Sequence, residues 1–302
     1  MVSLLDAARA VVLAGGLAVA AVQDLRTREA PDGLWQVLGI LGMLLGVASV
    51  LPGGPLPVVL WLVAAGLALE HLFPWDDLLG ERHAGKVPAL ELTAYVVAIG
   101  VVGYAAVRWG VGPSAVPVAV LAAVVTVVLA RALFEFGVLY GGADAKALIV
   151  AGVLVPVFAS PLLFAPALEA PLLAVLPFSL TLLTDAAVLS VAVPVALAVR
   201  NVARGEFTFS RGFTGYTIDV GELPRRFVWV RDATLGEDTL VEDAETSAED
   251  TRRRVEIARK LEARGVRSVW VTPQLPFLVL LAAGAFAGML VGNLLLDLFV
   301  AL

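Results

Sequence analysis

The chain contains no cysteine, two histidines and only three lysines among its 302 residues. Without cysteine there is no disulfide, no thiolate nucleophile and no cysteine-ligated zinc or iron–sulfur centre. His71 and His83 alone rule out a histidine-rich metal cluster. Eighteen arginines accompany the three lysines, yet 27 acids bring the formal net charge to −6, which argues against a nucleic-acid partner. An acidic, arginine-biased surface would suit a salt-rich cytoplasm. What the chain has in excess is apolar: 60% of its residues are hydrophobic and the mean hydropathy is +0.91. That is far from the balance of a soluble domain.

Apolar runs of about 18–25 residues recur, each long enough to cross roughly 30 Å of hydrocarbon. They predict an all-α polytopic membrane bundle of about eight transmembrane helices, at 3–22, 34–51, 57–73, 89–108, 116–136, 147–164, 178–199 and 276–299. The first lacks a strongly basic start and a small-residue cleavage site, so it reads as a retained helix and not a signal peptide. Residues 1–200 form the expected transmembrane bundle, 201–275 a small cytoplasmic α/β insertion, and 276–302 a C-terminal transmembrane helix. Within the insertion, Phe227–Val230 and Val266–Val271 alternate like short strands. Ser247 to Arg264 has a helix's Ser cap, early acids, later arginines and a Gly265 stop. Glu237 to Asp250 holds seven acids in fourteen residues and reads as a solvated loop.

The loops alternate in charge. Arg26, Arg28, Arg82, Lys86 and Lys146 fall in one set, whereas 52–56 and 161–177 have neither arginine nor lysine. The positive-inside rule then puts the charged set in the cytoplasm and both termini outside. Asp24, after the first run, and Asp144, between the fifth and sixth, are separated by four helices. An even number returns both to the cytoplasmic face.

Taken singly, each aspartate reads as a solvated helix end. Paired, they have the makings of amide hydrolysis, which needs one ionised and one protonated carboxyl. Like charges a few ångströms apart share a proton because they cannot both ionise. Gly141 and Gly142, just ahead of Asp144, allow backbone to approach closely.

Two motifs also resemble a known family. Asp24-x-x-x-Arg28-Glu29-x-Pro31 and Gly141-x-Ala143-Asp144-x-Lys146 are similar to the motifs of archaeal prepilin/preflagellin peptidases, GxGD-type membrane aspartyl proteases. Thr272-Pro273-x-x-Pro276-Phe277 resembles a further family feature. The resemblance covers the helical segments and not the insertion. It implies an aspartic endopeptidase with catalytic Asp24 and Asp144 and no metal or cofactor. Its implied partners are the leader peptides of pilin and archaellin precursors and the membrane lipids, with cleavage at the cytoplasmic face. Arg28, Glu29, Gly141, Gly142 and Lys146 are candidates for binding substrate or tuning the dyad.

Other polar residues read more simply. Asp32 is expected to cap the second helix. Arg131 and Glu135 are expected to pair at i,i+4. Glu70, His71, Asp76, Asp77, Glu81 and His83 have no tight ligand spacing and read as a polar cytoplasmic loop. Asp185, inside the seventh run, is expected near the outer surface, distant from the pair. The Gly42/Gly46 and Gly284/Gly288/Gly292 rows are expected to pack helices within the chain. A transporter using intramembrane acids and a non-catalytic scaffold are the rival readings. Neither needs the two aspartates to meet.

Overall fold

A computed structural model describes residues 4–73, 92–93, 95–100, 103–104, 107, 115–139, 141–158, 161–163, 170–230 and 247–301. They fall into two compact units. One comprises 1–26, 30–189 and 277–302, the other 27–29 and 190–276.

The first unit is a helical bundle. Helices α1 (Leu4–Thr27), α2 (Asp32–Val50), α3 (Pro55–Leu72) and α4 (Ala115–Glu135) precede a shorter α5 (Gly142–Leu154). A single turn α6 (Ala170–Leu173), then α7 (Phe178–Ser190), α10 (Phe277–Leu290) and α11 (Leu294–Ala301) complete it. The second unit contains α8 (Ala192–Ala203). Among the described residues five helical stretches are long and apolar enough to cross a membrane: Leu4–Thr27, Asp32–Gly53, Pro55–Leu72, Val118–Glu135 and Phe178–Ala203.

The expected spans at 147–164 and 276–299 depart from single helices. α5 is 13 residues, about 20 Å long, and ends where Val155 precedes Pro156, since a residue before proline avoids the α region. Val157 then bridges to Pro177, and Phe178 N–H donates to Pro156 O at 2.9 Å. The C-terminal span is interrupted between α10 and α11, at Gly292 with φ +115°. Leu162 and Leu163 N–H groups donate to Met289 and Leu290 O, so the freed carbonyls of α10 are met by backbone amides of the loop after α5. The run at 89–108 lies only partly within the described residues, of which 95–100 are helical.

Lipid offers no hydrophobic drive between helices, so the bundle depends on close packing. Gly42 and Gly46 act as small residues within this chain. A Cβ on Gly42 would lie 2.9 Å from Val153 of α5, and one on Gly46 would fall inside the Trp61 ring of α3. Trp61 also donates its Nε1–H to Met43 O at 3.1 Å. Outward positions such as Val11, Val37, Leu44 and Leu62 stay exposed and apolar, as a lipid-facing surface requires.

Arg9, buried in the middle of this apolar packing, escapes a hydropathy reading. Its Nε and Nη2 donate to Leu154 O at 2.5 Å and Val153 O at 3.1 Å, and its Nη1 to Ser49 Oγ at 3.2 Å. The guanidinium therefore satisfies the orphan carbonyls at the C-terminus of α5 and lies 5.4 Å from the Trp61 ring centre.

The second unit has a core of its own. Strands β1 (Tyr216–Asp219), β2 (Val228–Val230) and β3 (Ser268–Pro273) form an antiparallel sheet in the order β1-β3-β2, with Tyr216 and Val230 both opposite Val271. Helix α9 (Ser247–Ala263) contributes Ala258 and Leu261 against Ile218, Val228, Val269 and Val271. Each such apolar side chain adds roughly 1.5–3 kcal/mol of burial. Gly265, at φ +75°, ends the helix in the left-handed region, and Val266 N–H returns to Leu261 O. Upstream, Asn201 of α8 joins the unit by donating Nδ2 to Gly212 and Gly215 O.

Candidate active site

The first turns of α2 and α5 meet in the bundle. Asp32, first residue of α2, accepts an ion pair from Lys146 Nζ of α5 at 2.5 Å. This corrects one expectation. Asp32 makes no side-chain cap, because Pro31 holds the N-cap position and Asp32 already lies inside the helix. A half-exposed pair of this kind contributes little energy, but it fixes which ends of α2 and α5 are adjacent.

Asp24 lies in the last turn of α1, buried at 9% exposure. Its Oδ2 accepts the Leu278 N–H at 3.2 Å, in the first turn of α10. The side chain thus serves one of the four unbonded N–H groups that open α10, and the helix dipole faces its charge.

Asp144 is the third residue of α5, behind an N-cap at Gly141. Its amide donates to Gly141 O at 3.0 Å, while its carboxylate folds back to accept the Gly141 N–H. The carboxylate's return to the N-cap N–H is one half of a capping box, with aspartate in the usual glutamate position; glycine has no side chain to make the other half. Gly141 is required by space: a Cβ there would come 2.8 Å from Asp144 Oδ2. Gly142 has nothing within 4 Å of an added Cβ and is exposed. Gly141→Ala should therefore displace the carboxylate and lower activity about tenfold or more, whereas Gly142→Ala should leave it unchanged. Equal rates for both variants in a precursor-cleavage assay would contradict this difference.

Asp144 feels both its burial and the charge of Asp24. Burial is the main cause that pushes the Asp144 carboxyl up to about 7 from the usual 3.8; the nearby Asp24 charge adds to it and the Gly141 N–H opposes it. A carboxyl that holds its proton more tightly when folded stabilises the fold least when ionised. Stability from this group is therefore full below about pH 4 and is lost as pH rises through about 7. Asp144→Asn keeps an oxygen for the Gly141 N–H and removes the buried charge. Above pH 7 the variant should be more stable than wild type, by at most about 4 kcal/mol, the gap closing toward pH 4. Thermal melts of the full chain in detergent across this range check the sign. A variant that melts lower than wild type at pH 8 would contradict it.

Arg28 and Glu29 belong to the second unit. Arg28 adopts φ +60°, ending α1 in the left-handed region, with its guanidinium 4.9 Å from the Phe227 ring centre. Glu70 and His71 are in the last turn of α3, and His71 Nε2 hydrogen-bonds the Tyr95 hydroxyl at 2.6 Å. Asp76, Asp77, Glu81 and His83 fall outside the described residues. Arg131 and Glu135 pair at 2.8 Å as their spacing predicts. Asp185 is completely buried. Sequence reasoning missed the Leu278 N–H and Arg9. Pro276, just before α10, was the available signal for the first, since a helix start leaves free N–H groups. Compared with models of known families and with curated proteins, the chain matches none of them.

Proposed function

We propose that the protein is an aspartyl endopeptidase whose Asp24 and Asp144 jointly activate water against a peptide bond. The observation that carries this reading is that burial, with the charge of Asp24 added to it, pushes the Asp144 carboxyl up to about 7, although the two residues are far apart in the chain. In this reading Asp24, facing the first turn of α10, is the ionised member. It takes a proton from water as the water oxygen bonds to the scissile carbonyl carbon, while Asp144 donates its proton to the carbonyl oxygen. Collapse of the resulting diol breaks the C–N bond. The proton held on Asp24 goes to the leaving amine and a diol proton returns to Asp144, so the pair ends as it began.

The family resemblance supplies the substrate class: leader peptides of pilin and archaellin precursors, cut at the cytoplasmic membrane face just before their apolar helix. In the proposed topology the chain crosses the bilayer eight times with both termini outside, and residues 201–275 form a cytoplasmic insertion. Each step uses only side chains of this protein, so chelators are expected to leave activity intact. A transporter or scaffold gives no reason for Gly141 to be shaped around an aspartate that senses a second one.

A non-cleavable mimic of the diol tests this reading. A precursor-derived peptide with a hydroxyethylene group in place of the scissile amide should bind wild type at least about a hundredfold more tightly than the corresponding amide peptide. It should lose that advantage in Asp144→Asn. Equal affinity of the two peptides for wild type would sink the proposal.

A further inference from the structure

Asp185 sits on α7 against the interruption between α10 and α11, within the first unit. Its Oδ1 accepts the Leu294 N–H at 2.8 Å, the first amide of α11. Its Oδ2 is fully buried and has no hydrogen-bond partner among the described residues. No arginine, lysine or histidine among those residues pairs with it, and the charged group that acts on it is another acid, Asp297. A buried carboxylate held by one backbone N–H and a short helix's dipole is under-compensated.

Oδ2 faces the spot that Gly288 leaves open. Thr181 lies one helical turn before Asp185 on the same face. A Cβ on Gly288 would lie 2.9 Å from Thr181 Cγ2, 3.1 Å from Phe178 Cε2 and 3.4 Å from Asp185 Oδ2, so these three side chains border one spot beside α10. Asn293 closes the other side. Its Nδ2 donates to Thr181 Oγ1 at 3.4 Å and Thr184 Oγ1 at 3.0 Å, and its Oδ1 accepts the Leu296 N–H at 3.0 Å. Thr184 donates back to Leu180 and Thr181 carbonyls, so its hydroxyl is spent on its own helix. The C-terminal end of α10 and the unwound Val291–Gly292 backbone lie next to these groups. Interrupted helices in membrane bundles use such unwound backbone, with a nearby acid, to hold small cations.

We propose that Asp185, Thr181 and the α10–α11 interruption form a binding site for one sodium-sized cation. The carboxylate Oδ2 supplies the charge, and Thr181 Oγ1 and an unwound carbonyl supply neutral oxygens, the ligand set that suits a hard cation. Asn293 positions Thr181 and caps α11, and Gly288 leaves the space. The site does not depend on the Asp24/Asp144 chemistry.

The test is thermal unfolding of the purified full chain in detergent, with NaCl exchanged for choline chloride at constant ionic strength and pH. Sodium should raise the wild-type Tm by about 3 °C or more in a saturable way. Asp144→Asn should show the same rise. Asp185→Asn should fold and lose the difference between sodium and choline. Should Asp185→Asn fail to fold, Thr181→Val keeps the carboxylate and should shift the sodium midpoint at least about tenfold higher. A wild-type Tm that is equal in sodium and choline overturns the proposal. So does a sodium response that survives in Asp185→Asn, or an unshifted midpoint in Thr181→Val. A Tm that follows pH and ignores sodium would assign Asp185 a proton in place of the cation, and it overturns the proposal as well.

Discussion

Asp24→Asn and Asp144→Asn are each expected to reduce precursor cleavage by about a thousandfold or more, and the double variant to be scarcely worse than either. The reason is division of labour. One carboxyl must be charged and the other protonated in the same complex, so losing either leaves the survivor without the complementary step. Asparagine is the informative replacement. At position 144 it retains an acceptor for the Gly141 N–H, and at position 24 an acceptor for the Leu278 N–H. The capping contacts of α5 and α10 therefore persist while the proton chemistry is removed. Independent contributions would make the losses multiply in the double variant. Near-wild-type cleavage by either single variant would remove that residue from the mechanism.

Moving the scissile bond of a precursor two helical turns, about 11 Å, into its apolar helix should abolish cleavage. Asp24 lies in the last turn of α1, and Asp144 and Leu278 lie in the first turns of α5 and α10. The dyad is thus built from helix ends, at one level of the bundle. A precursor helix anchored in lipid beside the bundle presents only bonds at that level. The constraint raises the local concentration of the correct bond without demanding side-chain recognition around it. Comparing shifted and unshifted precursors by product mass decides the matter. Equal cleavage of both would mean that depth does not select the bond.

The helical bundle was legible because its signal is local: long apolar runs. The interruptions were not. Val155-Pro156 and Gly292 are short punctuation inside apolar composition, and a window that averages hydropathy passes over them. Asp32 looked like a cap because acids begin helices, yet Pro31 had already taken the preceding position and Lys146, remote in sequence, claimed the carboxylate. Asp185 and Arg9 show the same limit from the other side. Each is a charged residue in an apolar run, and only the tertiary partner, a helix start for one and a helix end for the other, says what it does there. Gly141 and Gly142 are equivalent in sequence; only the fold distinguishes the one pressed against Asp144 from the one facing open space.

The most direct measurement is the intact mass of a pilin-like precursor after incubation with the purified protein in liposomes, below pH 7 and with chelator present. The account predicts two products whose masses place the cut just before the apolar helix, and sum to the precursor plus one water. An uncleaved precursor, with the protein shown to be folded, would contradict it.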